Sequence, residues 1–177
     1  SQVINPGPSL LVSCGLTEAE LKTKSAHVLS VQNGLDAALA VADPKTRAES
    51  LEPFAQEEIY LASERAFAGL IDCGEAALPV LRRMLNNESL RRFHSNIVQA
   101  FAKAGGKTAG PELTAWIEKE VAFWKRTTPA LQPGWWNGNG FETLAEVHPL
   151  RDRSSALYYA IYALDLIRYA EAEPVLI

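Results

Sequence analysis

Apolar positions recur along most of this chain at the spacing of a helix that hides one face and wets the other. Thr17-Glu18-Ala19-Glu20 has the pattern of a capping box, in which the threonine oxygen accepts from an unpaired amide and the glutamate bonds back. It predicts a helix start, with Leu21, Val28, Leu35, Leu39 and Ala42 on the buried face and Gly34 weakening it by about 1 kcal/mol relative to alanine. Asp43-Pro44 predicts a second start, a cap followed by a proline at the first helical position. Pro53 costs a helix interior a hydrogen bond, so the pattern predicts a break near Glu52 and a new helix from Pro53 to about Asp72. That helix is striped by Ile59, Ala62, Ala66, Phe67, Leu70 and Ile71, and Gly74 follows as a residue tolerant of positive φ.

Three more helices follow from the same spacing. Residues 75–86 turn Leu78, Leu81, Met84 and Leu85 inward, residues 89–104 turn Leu90, Phe93, Ile97, Val98 and Phe101 inward, and a third from Pro111 carries Leu113, Trp116, Ile117, Val121 and Trp124. A last helix, capped by Asp152, is predicted from about Arg153 to Tyr169 with Leu157, Ile161, Leu164 and Ile167 in the core. Two stretches break the pattern. Residues 1–16 hold Pro6, Gly7, Pro8 and Gly15 and read as an extended arm; residues 127–150 hold three prolines, three glycines and the adjacent Trp135 and Trp136 and read as a loop insertion.

The helices are punctuated by a motif that returns. Gly74–Leu81 reads GEAALPVL, Gly106–Leu113 reads GKTAGPEL and Tyr169–Leu176 reads YAEAEPVL. Ala77, Pro79 and Leu81 match Ala109, Pro111 and Leu113, then Ala172, Pro174 and Leu176; upstream, Ala68 matches Ala100 and Ala163 in the same register. A period of roughly 30 to 45 residues marks a helical repeat array. Paired helices with a glycine turn and a proline near the start of the second resemble the HEAT-repeat family and its HEAT-like relatives. The resemblance covers about Ile59 to Ile177, and the third copy departs from it with Tyr169 at the glycine position.

The resemblance implies an all-α fold, a right-handed α-α superhelix with an N-terminal helical cap and one long aromatic loop insertion. As one domain over 1–177, it divides into the arm (1–16), cap helices (17–52), HEAT-like repeats (53–126), the insertion (127–150) and a terminal incomplete repeat (151–177). It implies a scaffold that binds another protein, with no catalytic residue, cofactor or metal to carry over. Self-association through the C-terminal repeat is the other partner expectation, and the chain also reads as a piece of a longer solenoid. Two enzymatic relatives set the alternative: HEAT-like bilin lyases attach chromophores to phycobiliproteins, and HEAT-like DNA glycosylases hold an extrahelical base against acidic and aromatic residues. For the latter, Glu120, Trp116 and Trp124 share a helix with Lys119, Lys125 and Arg126.

Composition narrows these classes. Apolar residues at 47% and charged residues at 21% are those of a soluble globular protein, and no apolar run is long enough to span a membrane. A net charge of −4 offers no general field for a phosphate backbone, which disfavours nucleic acid. Cys14 and Cys73 are either buried thiols or one disulfide, so cytoplasmic and exported settings both stay open. Ser1 in place of a methionine is read as a removed leader or a trimmed start.

Two stretches are candidate sites. Trp135, Trp136, Asn137 and Asn139 set indole rings in an amide-rich backbone that suits stacking on a sugar, a base or a peptide, or that anchors a long loop on the helices. Arg82, Arg83, Arg91 and Arg92, with His94, flank one turn and form either an anion site or a set of ion pairs with Glu88, Glu64 or Glu75. His27, His94 and His148 fall in no metal-binding spacing.

Overall fold

The computed structural model describes residues 17–127 and 147–172. All the regular structure there is helical, and no strand occurs among the described residues. Helix α1 spans Glu18–Leu39 and α2 spans Pro44–Ala55. Both start where their caps predict: Glu20 Oε2 accepts from the Thr17 amide at 2.7 Å with the reciprocal bond at 3.3 Å, and Asp43 Oδ2 accepts from the Thr46 amide at 2.7 Å. Ala42 falls beyond the end of α1 and is exposed; Val31, Leu35 and Ala38 form its core line. Gly34 has a packing reason, because a Cβ there would come within 2.8 Å of the Phe54 ring of α2.

The break predicted at Glu52 does not occur. Helix α2 runs through Pro53 to Ala55, and the next helix, α3, begins at Tyr60 and ends at Asp72. Pro53 sits in the last turn on the exposed side, and Glu49, whose carbonyl loses its amide partner, is also exposed to water. Helix α3 ends at Cys73 and Gly74, followed by a 3₁₀ turn, Gly74–Ala77, and helix α4, Leu78–Leu85. The helix predicted over 89–104 is two pieces, a 3₁₀ segment Glu88–Phe93 and helix α5, His94–Gly105. The kink at Leu90 (φ −94°, ψ 15°) turns both Leu90 and Arg91 into the protein. A second 3₁₀ turn, Gly106–Ala109, leads to helix α6, Gly110–Thr127.

Helix α7 spans Val147–Leu166, so Asp152 lies within it and is not its cap. Pro149 falls in its first turn, where a missing amide is harmless. Its buried line is Ala156, Ala160, Ala163 and Leu164, whereas Ile161, predicted to be core, is exposed and Leu157 and Ile167 are half-buried. Short side chains on this line keep α7 close to α5, the helix it packs against.

The recurring motif gives a recurring turn. Gly74 (φ +58°) and Gly106 (φ +52°) both adopt the left-handed conformation that glycine takes without penalty, and neither would bring a Cβ into contact closer than 4.0 Å. Backbone conformation, not space, requires glycine at both. In the third copy the left-handed residue is Arg168 (φ +52°), one place before Tyr169. The Arg168 amide donates to the Asp165 carbonyl at 2.9 Å and the Tyr169 amide to the Leu164 carbonyl at 3.1 Å, the paired bonds of a Schellman end. Tyr169 then lies over Gly110, whose Cβ would fall 2.4 Å from the ring. Each turn continues into a 3₁₀ segment, the last being Ala170–Ala172, with a fully buried alanine at the matched position: Ala77, Ala109 and Ala172. Of the upstream matches, Ala100 and Ala163 are buried but Ala68 is exposed.

The helices form two layers. Helix α3 packs on α1 and α5, and α5 packs on α7, which makes one layer of the odd-numbered helices. In the other, α4 packs on α2 and is tied to α6 by Arg82 and Glu112. Between them lies one continuous core that includes Leu35, Leu51, Leu70, Leu81, Ile97, Phe101, Leu113, Ile117 and Leu164, each less than 3% exposed. Full burial of such side chains stabilises by about 1.5–3 kcal/mol each.

Candidate functional site

The four arginines expected to form one basic patch do not converge. Arg82 and Arg83 stand on the outer side of α4: Arg82 Nε reaches Glu112 Oε2 at 2.7 Å, and Arg83 bonds Glu49 on α2 at 2.7 Å and also Glu52. Arg92 points away from them to Glu58, ahead of α3, at 2.9 Å, with its guanidinium over the Phe93 ring. Arg91 is buried. All four guanidiniums are thus matched by carboxylates, and of the partners expected for them only Glu88 takes one; Glu75 instead accepts from Thr108 at 2.8 Å. Trp135, Trp136, Asn137 and Asn139 lie outside the described residues, as does Cys14. Cys73 is a buried free thiol, and burial pushes its pKa up.

A buried polar assembly surrounds Glu120 of α6. Arg91 Nη1 donates to it at 3.1 Å and Arg153 of α7 at 2.9 and 3.0 Å; both arginines also reach Glu88. Arg153 stacks 3.8 Å from the centre of the Phe123 ring. Hydrogen bonding and the charge of Arg91 hold the Glu88 carboxyl below its usual range. Next to the cluster, His94 is fully buried, its ring edge-on to Trp116 at 6.2 Å. Its Nε2 donates to the Asn87 carbonyl at 3.2 Å, which fixes the tautomer and leaves Nδ1 without a partner. Burial first, and Arg91 second, push the His94 pKa down to about 4, so the ring is neutral at pH 7. Two arginines and two glutamates balance in charge, and Glu120 fastens α6 to the 3₁₀ segment ahead of α5 and to α7. Glu120 therefore faces two guanidiniums inside the fold and does not line an open basic groove with Trp116 and Trp124.

A sequence signal for this cluster existed. Glu120 falls on the stripe of Leu113, Trp116, Ile117 and Val121, and a carboxylate on an apolar stripe requires a buried partner. Arg153 and His94 sit in register with Ala156, Ala160 and with Ile97, Val98 in the same way.

Open surface lies along the seam of α3 and α5. A groove of about 470 Å³ has Phe67, Ala68, Ile71 and Ala100 for its floor and Gln99 and Lys103 on one rim. It meets at Asn96 a second hollow of about 420 Å³, bordered by Glu57, Glu58, Tyr60 and Arg92. His27 stands 3.8 Å from Glu57, and a hydrogen bond to the Glu64 carboxylate raises the Tyr60 pKa. Ser63, at the wall, is buried and donates to the Ala55 carbonyl at 3.1 Å. The floor is apolar and the rim offers amides and charges, a surface suited to extended polypeptide or a helix face. Among the described residues no group of three His, Cys, Asp or Glu is placed to hold a metal ion, and no helix is long and apolar enough to cross a membrane.

The remaining exposed apolar surface is unevenly placed. Among the described residues, Leu29 on α1, Tyr60 and Leu61 on α3, and Tyr158, Tyr159, Ile161, Tyr162 and Leu166 on α7 are the large exposed hydrophobics, and each stands on an odd-numbered helix. Compared with known proteins, the chain matches no family model, no curated protein and no solved structure.

Proposed function

We propose that this chain is a protein-binding module of HEAT-like repeats, wound as a right-handed superhelix, that presents its odd-numbered helices to another protein. The observation that carries the reading is the one-sided distribution of exposed large hydrophobics, which among the described residues stand on α1, α3 and α7 and not on α2, α4 or α6. Exposed large apolar side chains gathered on one layer suit interaction sites, and aromatic anchors supply most of the affinity of such interfaces. The repeat reading draws support from the three left-handed turns and from ties between elements that recur at 29 to 33 residues: Asp36 to Arg65, Glu52 to Arg83, Glu75 to Thr108, Arg82 to Glu112, and Arg91 to Glu120. Of the predicted insertion 127–150, Thr127 belongs to α6 and Val147–Leu150 to α7. Residues 128–146 belong to the proposal as an insertion in the array that adds anchors, Trp135 and Trp136, to the same partner.

Photocrosslinking in the native source tests it. A benzophenone side chain replacing Tyr60 or Leu61 is expected to capture one defined protein, and the same group replacing the exposed Ala115 on α6 is expected to capture none. Capture from Ala115 alone, or equal capture from both layers, overturns the reading.

A further inference from the structure

Helix α7 ends the odd layer, and its two sides differ sharply. Ala156, Ala160, Ala163 and Leu164 are buried; the opposite side presents Arg151, Ser154, Tyr158, Ile161, Tyr162 and Asp165, all exposed. At 100° per residue these six fall within one arc of the helix, with Arg151, Tyr158 and Asp165 along its centre line at intervals of seven. Tyr158 is 66% exposed and Tyr162 52% exposed, on a helix whose own core line is built from alanines. Neither Arg151 nor Asp165 has an ion-pair partner among the described residues.

We propose that this face of α7 pairs antiparallel with α7 of a second copy of the chain, about a two-fold axis at Tyr158. The choice of a second copy and of its direction comes from the charges. The face is self-complementary: with Tyr158 on the axis, Arg151 of each copy lies opposite Asp165 of the other, each roughly 10 Å from the axis along the helix. Parallel pairing would set Arg151 against Arg151 and Asp165 against Asp165. Ile161 and Tyr162 then cover the partner's Ser155 and Ser154 flank, and three large apolar side chains per copy, Tyr158, Ile161 and Tyr162, leave water. A patch of this size supports a reversible dimer with a Kd on the order of micromolar rather than an obligate one. The inference rests on reading the odd layer as the binding face and gives α7 its occupant.

Sedimentation velocity on the whole chain, carrying Cys14→Ser to exclude adventitious disulfides, provides the test. Between about 1 and 200 μM the expected result is a monomer giving way to a dimer. Arg151→Asp alone and Asp165→Arg alone are each expected to weaken it about tenfold, by placing like charges opposite each other twice, and the double reversal to restore it. Tyr158→Cys is expected to give an intermolecular disulfide on mild oxidation. A monomer throughout, whether the face is covered by residues 128–146 of its own chain or reserved for a different protein, overturns the proposal. So does a dimer indifferent to the charge reversals. Restoration in the double variant separates lost pairing from lost folding. A monomer that still yields the Tyr60 photoadduct sinks only this inference, and a charge-sensitive dimer with no photoadduct sinks only the heterologous-partner reading.

Discussion

The two layers meet water in opposite ways. On α2, α4 and α6 charge is matched sideways from helix to helix, Glu49 and Glu52 to Arg83 and Arg82 to Glu112, and among the described residues no large apolar side chain stands exposed there. Helices α1 and α3 share an ion pair of that kind, Asp36 with Arg65. On α1, α3 and α7 large side chains stand uncovered, and the α3–α5 seam opens into grooves. One chemistry stiffens an array without inviting company, and the other leaves transfer free energy to be gained by covering it. The difference teaches that arginine density marks ion pairing here and not a basic patch, whereas the exposed large apolar side chains gather on one layer.

The sharpest way to break this contrast is to cut the single place where the layers share buried charge. Glu120→Ala leaves Arg91 and Arg153 facing each other, and a loss of about 3–5 kcal/mol is expected in urea denaturation. A loss below about 1 kcal/mol would mean that apolar packing alone joins α6 to its neighbours. Acid strains the same region. His94 titrates near pH 4 when folded against 6.5 for the free side chain, so the unfolded chain binds the extra proton between these values. Stability is therefore whole above about pH 6.5 and falls by up to roughly 1 kcal/mol per pH unit on the way down to 4. Glu88, held below its usual range, adds a loss of the same sign at lower pH. Urea midpoints at pH 7 and pH 5 should separate in the native chain and draw together in His94→Leu.

The turns that carry the chain from one layer to the other give the next effect. Gly74→Ala forces a left-handed alanine and is expected to cost about 1–2 kcal/mol, while Arg168→Gly relieves the same conformation and gains about 0.5–1 kcal/mol. Thermal melts read both, and equal behaviour of the two would show that the third turn is not equivalent to the first. Smaller again is the lateral ladder: Arg82→Ala and Arg83→Ala should each cost under about 1 kcal/mol and more at low salt. Smallest is Leu61→Ser, within about 0.5 kcal/mol in stability, although the crosslink formed from the neighbouring Tyr60 position should be lost.

Much of the helical layout was legible because its signals are local. Thr17 with Glu20, Asp43-Pro44 and Gly74 each mark an end within one turn, and all three are where the spacing put them. Errors came where tertiary context decides. Pro53 looks like a break until its exposed position in a last turn is known, and Ile161 looks like core until a line of alanines is seen to take that role. The left-handed turn before Tyr169 carries no glycine to announce it, only a Schellman pair of backbone bonds. At the candidate site, types were legible and partners were not. Arg91 is one of four similar arginines in sequence, and only the 3₁₀ kink at Leu90 turns it inward to Glu120, 29 residues away.

That separation also bears on how the protein is made. Chains emerge from synthesis N-terminal end first, and a tie of about 30 residues closes as soon as the following element has cleared the ribosome. Arg91 thus has Glu120 within reach before Arg153 has cleared the ribosome. The carboxylate that will be sealed inside meets its first guanidinium as α6 arrives, and α7 then brings Arg153, the charge that balances the second carboxylate of the cluster.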